Sequence, residues 1–248
     1  MSYREGAERF YDLFDTKTDA HFYLELAREQ GGKALELGVG TARVAIQLAR
    51  EGIETWGIDR SPYMLNAARA NIGMEPREVQ ERLHIELADV RDFHLEEAFG
   101  LIYFPSYSFD HIMEREEQAA ALRNIRRHLA PGGVYTFDLA HVPELKPDSG
   151  WFVERKTLDE HRLVVRTGYH KTYPERSIMS VNLWYDLTED GRITERYFDG
   201  TDVYIHSPEG IKTLLEMAGF KILNCYGDHE RHEFDESSKS MVVVARPV

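Results

Sequence analysis

The sequence predicts an α/β fold in which strands alternate with helices around a parallel sheet. An apolar run over residues 34–37 ends in a glycine turn, Gly38-Val39-Gly40, and a second run over 56–58 ends in a lone carboxylate, Asp59. That acid lies roughly twenty residues beyond the first glycine, which is the spacing of a nucleotide-binding βαβ unit. With 248 residues and 42% hydrophobic composition, the chain is large enough for an α/β domain that carries an insertion.

The residues around the glycine turn distinguish between two kinds of nucleotide ligand. In a βαβ unit the glycines bring the backbone close to the ligand, and the carboxylate accepts hydrogen bonds from the ribose hydroxyls. A dinucleotide fingerprint has a third glycine at the position of Arg43. Glu36, two residues before the first glycine, would repel a pyrophosphate, yet it could hold the ammonium of a bound amino acid. These residues favour a ligand that joins an adenosine to an amino acid.

The same turn resembles a known motif. Glu36-x-Gly38-x-Gly40 resembles the first motif, Glu/Asp-x-Gly-x-Gly-x-Gly, of the class I S-adenosylmethionine (SAM)-dependent methyltransferases. The resemblance implies an α/β, Rossmann-like enzyme with a seven-stranded sheet whose last strand is antiparallel, and it implies SAM as cofactor. Ala42 stands where the third glycine of the motif usually lies. Because alanine disfavours a positive φ, we expect ordinary backbone angles at Ala42.

Further landmarks follow in the order of this family. Ser61 is a good N-cap with Pro62 at the first helical position, so a helix opens after the second strand. The third strand ends in Asp89, and a helix over 116–129 has one apolar face. A Pro-Gly-Gly turn then precedes a strand that begins at Val134. The predicted core strands cover residues 34–37, 56–59, 83–89, 101–104, 134–139, 220–226 and 241–245.

The chain divides into four predicted parts. They are an N-terminal helical cap (1–32), the SAM-binding α/β core (33–141), an inserted antiparallel β-meander (142–206) and a C-terminal helix with two strands that completes the core (207–248). Three strands are predicted in the insertion, over residues 161–171, 177–187 and 192–204. The insertion resembles the β-sheet lid of small-molecule methyltransferases that include sugar and amine N-methyltransferases. Two roles remain open for it, a lid that selects the substrate and a sheet that forms a homodimer.

The resemblance also implies which residues hold the cofactor. Glu36 would orient the amino-acid end of SAM, Asp59 would hold the ribose, and Asp89 with the amide of Val90 would bind the adenine. The complete set of predicted cofactor residues is Tyr11, Tyr23, Glu36, Gly38, Gly40, Arg43, Asp59, Arg60, Met64, Asp89, Val90 and Phe104. For Tyr23, packing of an N-terminal helix on the core is an equally good interpretation.

Methyl transfer needs few catalytic groups, because the sulfonium is a strong electrophile and alignment supplies much of the rate. An amine acceptor must lose a proton, and a base that titrates near neutral pH would help. His111, after the fourth strand, is the candidate base or substrate orienter, and Asp110 is the weaker candidate. A packing role near the start of a helix is the alternative for His111.

Composition limits the partners and the location. The formal net charge of −13 argues against a nucleic-acid substrate. Cys225 is the only cysteine, which excludes an internal disulfide and fits a cytoplasmic protein. The sequence contains no apolar span long enough to predict a membrane segment. Histidines at positions 161, 170, 229 and 232 lack the spacing of a metal site, so no metal is predicted, and the segment 227–233 is predicted to be an exposed loop.

The sequence therefore predicts a SAM-dependent methyltransferase that acts on a small-molecule acceptor, with an amine slightly favoured over a hydroxyl. Two alternatives remain. A non-catalytic SAM-binding or regulatory protein would carry the same cofactor residues. A nicotinamide-dependent oxidoreductase is disfavoured by Glu36 and Arg43.

Overall fold

Eleven strands form two separate sheets in the computed structural model, which describes residues 6–14 and 18–248. The strands are β1 (Ala34–Leu37), β2 (Thr55–Asp59), β3 (Leu83–Leu87), β4 (Phe99–Phe104), β5 (Leu129–Ala140), β6 (Ser149–Thr157), β7 (Arg162–Tyr173), β8 (Ile178–Glu189), β9 (Arg192–Tyr204), β10 (Phe220–Tyr226) and β11 (Ser240–Pro247). The α-helices are α1 (Tyr11–Phe14), α2 (Ala20–Gln30), α3 (Arg43–Arg50), α4 (Pro62–Gly73), α5 (Arg77–Gln80), α6 (Arg115–His128) and α7 (Pro208–Met217). Short 3-10 helices cover Ala7–Phe10, Ser108–His111 and Pro174–Arg176.

The larger sheet has the strand order β10-β11-β5-β4-β1-β2-β3. Its strands β1 to β5 pair in parallel, whereas β11 pairs antiparallel with both β10 and β5. Residues 240–245 of β11 are buried on both faces, which explains the continuous apolar run over residues 241–245. The prediction of a seven-stranded sheet with an antiparallel last strand is confirmed.

Helices cover both faces of this sheet. Because strand side chains alternate between faces, Leu101 of β4 packs with the layer that contains α2 and α3, and Ile102 packs with the layer that contains α6 and α7. The predicted apolar face of α6 is buried, as Leu122 and Ile125 are fully buried. The α6 helix ends at His128, since Leu129 already belongs to β5.

The start of β5 differs from the prediction. The strand begins at Leu129, before the Pro-Gly-Gly segment, instead of at Val134 after it. Leu129 pairs with Phe99, and an irregularity in the register between Phe99 and Leu101 absorbs the segment. A Cβ at Gly133 would lie 2.8 Å from the Phe99 carbonyl oxygen, so glycine permits this close approach of the two strands.

The expected backbone geometry of Ala42 was wrong. Its φ is 66° and its ψ is 26°, which is left-handed. This conformation lets the Ala42 amide donate to the Val39 carbonyl at 2.8 Å while its own carbonyl accepts from Ile46 at 2.9 Å. A left-handed alanine costs about 1–2 kcal/mol. The Ala42 methyl is fully buried beside the start of α3, and this burial offsets part of the cost.

The smaller unit contains residues 6–14 and the insertion 144–204. Its four-stranded antiparallel sheet has the order β6-β7-β8-β9. Phe10 and Phe14 pack against Val164, Tyr185 and Leu187 on one face of this sheet. The predicted N-terminal segment 1–32 is thus divided, because α1 belongs to this unit and α2 belongs to the larger one.

The strand β6 is an addition to the three strands predicted in the insertion. It pairs with β7 from Ser149↔Lys171 to Thr157↔Leu163 at the edge of the sheet. Most of its residues are exposed on both faces, so it carries no alternating apolar pattern by which it could be recognised. In the described part of the chain, no helix is long and apolar enough to cross a membrane.

Candidate active site

The glycine turn lies at the carboxyl end of β1 and has left-handed geometry. Gly38 and Gly40 have φ values of 62° and 55°. A Cβ at Gly38 would lie 3.0 Å from Cε2 of Phe104, at the end of β4. Phe104 is itself buried and makes an edge contact with Phe109. The absence of a side chain at Gly38 therefore lets the ends of β1 and β4 pack closely beneath the turn.

Asp59 ends β2 and joins it to the glycine turn. Its Oδ2 accepts a hydrogen bond from the Gly40 amide at 2.9 Å, and its Oδ1 accepts one from the Ser61 amide at 2.8 Å. Burial raises the pKa of Asp59, although the amides of Ser61, Gly40 and Arg60 act in the opposite direction. The carboxylate is thus held in a fixed orientation, where each oxygen retains acceptor capacity for a hydroxyl.

The next helix begins as predicted. Ser61 accepts a hydrogen bond from the Met64 amide at 3.3 Å, and Pro62 is the first helical residue. Met64 is buried, with 1% of its surface exposed. Its expected contact with an adenine remains a prediction.

Asp89 lies just beyond β3 in a turn that α6 supports. Its two oxygens accept hydrogen bonds from the Arg91 guanidinium at 2.8 and 2.7 Å, and Arg91 holds the pKa of Asp89 below its usual range. Arg60 is farther away, with 4.0 Å between its Nη1 and Oδ2 of Asp89. The Asn124 amide of α6 donates to the carbonyls of Val90 (3.4 Å) and Phe93 (2.9 Å). These contacts define the backbone of Val90, whose amide is predicted to meet the adenine.

Glu36 is a buried carboxyl group at the end of β1. It is 3% exposed, and its Oε2 accepts a hydrogen bond from the Tyr103 hydroxyl at 3.0 Å. Tyr103 lies directly opposite Glu36 in the pairing of β1 with β4. Burial raises the pKa of Glu36 to about 8, while Tyr103 and Arg43 act in the opposite direction. A ligand ammonium would favour the ionised form, so Glu36 is suited to a cation.

Arg43, at the start of α3, forms a two-pronged ion pair with Asp19. The distances are 2.7 Å from Nη1 to Oδ1 and 3.1 Å from Nη2 to Oδ2. Asp19 immediately precedes α2 and is 2% exposed. The pair therefore ties α2 to α3 beside Glu36, and a direct contact of Arg43 with SAM remains a prediction.

Replacement of Arg43 by glutamine should destabilise the protein by about 3 kcal/mol, because it leaves the buried Asp19 carboxylate without its cation. Urea unfolding measures this loss. The added change Asp19→Asn should restore most of the stability. Arg28→Gln is the matched control, since the Arg28–Glu51 pair is exposed and should contribute less than about 1 kcal/mol. An equal effect of Arg28→Gln and Arg43→Gln would contradict this account.

A second polar cluster lies beside Glu36 on the same face of the sheet, and Tyr23 alone of its members is among the predicted site residues. The Tyr23 hydroxyl of α2 donates to Oδ1 of Asp138 at 3.3 Å and lies 3.3 Å from Nε2 of His229. The Tyr23 ring stacks on Tyr103 at 5.1 Å. His229, predicted to be in an exposed loop, therefore reaches inward. Tyr23 is fully buried, so the packing interpretation applies, and its predicted cofactor contact remains a prediction.

The backbone after β4 is shaped toward the same cluster. Ser106 and Tyr107 both have left-handed φ values, 66° and 58°. The Tyr107 amide then donates to Oδ1 of Asp138 at 3.3 Å. Two successive non-glycine residues in this conformation store strain, which is often found at functional sites.

The candidate catalytic residues follow in the 3-10 helix Ser108–His111. Asp110 is 1% exposed, and its Oδ2 accepts a hydrogen bond from the Ala140 amide at 3.0 Å. Its Oδ1 lies 3.9 Å from Nε2 of His206. Burial raises the pKa of Asp110 and lowers the pKa of His206 to about 4, so His206 is neutral at neutral pH. These contacts give Asp110 a role in joining the short helix to β5.

The structure also describes two further predicted site residues. His111 is partly buried at the end of the short helix, and its catalytic role remains a prediction. Tyr11 is partly buried in α1 of the smaller unit, and its contact with SAM also remains a prediction. Among residues 6–14 and 18–248, no group of three His, Cys, Asp or Glu side chains is arranged to hold a metal ion.

The residues at this edge of the sheet fit SAM. Glu36 offers a buried carboxylate for the ammonium, Asp59 offers acceptors for the ribose, and Asp89 with Val90 offers an acceptor and a donor for the adenine. A dinucleotide pyrophosphate beside Glu36 would keep this carboxyl protonated and gain no ion pair from it, whereas the ammonium of SAM would favour its ionised form. SAM supplies an activated methyl group, and the protein contributes binding and alignment.

Comparisons with known proteins agree with this fit. Residues 34–133 match the family described as a methyltransferase domain. The chain is 26% identical over 221 residues to the dTDP-3-amino-3,4,6-trideoxy-alpha-D-glucopyranose N,N-dimethyltransferase of Streptomyces venezuelae, covering 86% of this chain and 89% of that protein.

Two solved structures share the fold over nearly the whole chain. The CcbJ methyltransferase from Streptomyces caelestis superimposes with a TM-score of 0.83 at 22% identity, covering 97% of this chain and 96% of that one. The sugar N-methyltransferase KedS8 from Streptoalloteichus sp ATCC 53650 has a TM-score of 0.73 at 21% identity, covering 95% and 90%. These similarities confirm the predicted fold class.

Proposed function

We propose that this chain, a SAM-dependent methyltransferase of the class I fold, methylates the amino group of a small molecule. The matched methyltransferase domain confirms the prediction of a methyltransferase enzyme with SAM as cofactor. The acceptor class follows the similarity to a protein named as a dTDP-amino-sugar N,N-dimethyltransferase. An amino sugar is therefore the first acceptor class to test.

One observation supports the cofactor assignment most directly. The buried carboxyl of Glu36 lies at the end of β1, immediately before the glycine turn that donates to Asp59. An ammonium beside Glu36 and a ribose on Asp59 belong to the amino-acid part and the adenosine part of SAM. A nicotinamide dinucleotide would instead place phosphates at this turn, so the oxidoreductase alternative is disfavoured.

The acceptor needs residues that orient its amine. We assign this role to His111, which follows β4 at the carboxyl edge of the sheet, where ligands of open α/β folds bind. Asp110 supports the short helix that carries His111. We place the enzyme in the cytoplasm, which the absence of any second cysteine supports.

The inserted sheet is proposed to form a homodimer. One of its faces carries aromatic side chains in mutual contact, with Trp151 stacked on Trp184 at 5.6 Å and Trp184 beside Phe198 at 5.3 Å. Trp151 is 66% exposed, which supports an apolar cover for this face. Light scattering of the wild type and of Trp151→Ser tests the proposal. A monomer at all concentrations would overturn it and favour the role in substrate selection.

The proposed reaction is tested by incubating the protein with SAM and a panel of amines that includes dTDP-3-amino-3,4,6-trideoxyglucose. Mass spectrometry should detect singly and doubly methylated amine together with S-adenosylhomocysteine. The matched control is the same sugar with a hydroxyl in place of the amine, which should remain unmodified. Methylation of the hydroxyl sugar alone would overturn the preference for nitrogen. Tight SAM binding with no product from any acceptor would favour the non-catalytic alternative.

A further inference from the structure

The loop between β10 and β11 brings a histidine to the carboxyl edge of the larger sheet. Arg231 anchors this loop to α2 through Glu29 at 2.8 Å and Glu25 at 3.3 Å. Asp228 accepts hydrogen bonds from the backbone amides of Glu230 and His232 at 2.9 and 3.2 Å. Asp228 therefore fixes the turn of the loop, and Arg231 fixes the loop to α2. The loop directs His229 inward.

The inward side of His229 meets a buried carboxylate and a phenol. Its Nε2 lies 3.3 Å from the Tyr23 hydroxyl and 3.8 Å from Oδ2 of Asp138. Asp138 is 1% exposed, whereas the His229 side chain is 18% exposed. The cluster thus extends from the buried carboxylate of Asp138, near the end of β5, to the imidazole of His229, which solvent or a ligand can reach.

The hydrogen bonds determine which ring nitrogen carries the proton. Tyr23 has one hydroxyl proton, which it donates to Oδ1 of Asp138. Burial, followed by the charge of Asp138, raises the pKa of Tyr23, so its hydroxyl stays protonated. Nε2 of His229 must then donate to the Tyr23 oxygen, which leaves Nδ1 as the nitrogen with a free lone pair. In the described part of the chain, Nδ1 makes no hydrogen bond.

We propose that Nδ1 of His229 is the base that deprotonates the acceptor amine, and that Asp138 and Tyr23 are positioning residues that hold its tautomer. The proposal rests on the proposed function, since it names a proton acceptor for the same reaction. An ammonium N–H bond breaks, the proton moves to Nδ1, and the electron pair stays on the amine nitrogen as its nucleophilic lone pair. The product is an imidazolium, which the nearby Asp138 carboxylate stabilises.

Other groups surround the cluster and bear on its pH dependence. The charged and titratable groups of the adjoining elements are His21, Tyr23, Glu25 and Glu29 on α2, Asp138 on β5, Tyr107 after β4, Tyr226 on β10, and Asp228, Glu230 and Arg231 in the loop. Carboxylates are the most numerous charged groups in this set, so the imidazolium formed by proton transfer would lie among anionic neighbours.

The first test needs no acceptor. Nitrogen-15 NMR of histidine-labelled protein saturated with S-adenosylhomocysteine reports the tautomer of His229. We expect the Nε2–H form in the wild type, and we expect Tyr23→Phe to shift the ring toward a mixture of tautomers. A wild-type ring protonated on Nδ1 above neutral pH would overturn the proposal, because no lone pair would then face the exposed side.

The second test uses turnover of the amine that gives the fastest methylation. His229→Gln should lower kcat by about 100-fold or more with unchanged binding of S-adenosylhomocysteine. At saturating SAM it should also remove the acid limb of the kcat profile against pH. Added imidazole should restore part of the rate to His229→Ala. His232→Gln is the matched control in the same loop, because the His232 side chain is 75% exposed and forms an ion pair with Asp228.

The outcomes separate the two proposals. A wild type that methylates amines while His229→Gln retains its full rate and pH profile would overturn the role of His229 alone. In that case, loss of the acid limb in His111→Gln would assign the base to His111. A wild type that methylates no amine would overturn the proposed function, while the tautomer measurement would still judge the geometry of the cluster.

Discussion

Replacing Asp59 with alanine is expected to weaken the binding of S-adenosylhomocysteine by at least about 100-fold, because each ribose hydrogen bond to a charged acceptor contributes roughly 1.5–3 kcal/mol. The same carboxylate accepts the amides of Gly40 and Ser61, so its removal also loosens the glycine turn. Isothermal titration calorimetry of both proteins measures the difference.

Two further variants make this prediction specific. Asp59→Asn keeps an acceptor for one amide and should recover part of the affinity. Asp92→Ala removes an exposed carboxylate from the turn after β3 and should leave the affinity unchanged. Undiminished binding by Asp59→Ala, with a folded protein by circular dichroism, would place the ribose elsewhere.

The second large effect concerns Glu36 and pH. With the pKa of this carboxyl raised to about 8 by burial, the free protein must release a proton before the group can meet an ammonium. The affinity of the wild type for S-adenosylhomocysteine should therefore fall about tenfold for each pH unit below 8. Glu36→Gln should bind about 10- to 100-fold more weakly than the wild type above pH 8, and the two affinities should converge near pH 6.

The ammonium of S-adenosylhomocysteine titrates equally in the experiments with wild type and with Glu36→Gln. The difference between the two pH dependences therefore reports the ionisation of Glu36. Glu86→Gln, a change on the exposed side of β3, is the control and should follow the wild type at every pH. A parallel pH dependence in wild type and Glu36→Gln would show that the ammonium lies away from Glu36.

The same group links stability to pH. Its pKa is raised in the folded state, so between pH 4.5 and 8 the folded protein holds a proton that the unfolded chain has lost. Stability should therefore decrease as pH rises through this window, by about 1.4 kcal/mol per pH unit from this group. Glu36→Gln should remove that slope in urea unfolding experiments.

The parts of the fold that the sequence predicted are those where local chemistry and packing act together. The strand ends at Leu37 and Asp59 carry a glycine turn and an acid, and the Ser61 cap follows from hydroxyl chemistry at a helix start. The strand β11 is recognisable because burial on both faces demands an uninterrupted apolar run.

The failures have physical reasons of their own. Ala42 adopts a positive φ because the burial of its methyl and the hydrogen bonds of the turn outweigh its intrinsic preference. In the sequence, Asp138 is a single polar residue in an apolar strand, and His229 is one of many polar residues in a loop, so neither pattern indicates a site. Their partnership depends on the order of β10, β11 and β5 in the sheet, which brings residues 91 positions apart in the chain within 3.8 Å.

The most direct test of the central claim is a calorimetric titration of the wild-type protein with S-adenosylhomocysteine and, separately, with NADH. The account predicts saturable binding of S-adenosylhomocysteine at one site per chain and no heat of binding from NADH. Binding of NADH alone would contradict it, because the ribose on Asp59 would then belong to a dinucleotide and Glu36 would face a phosphate.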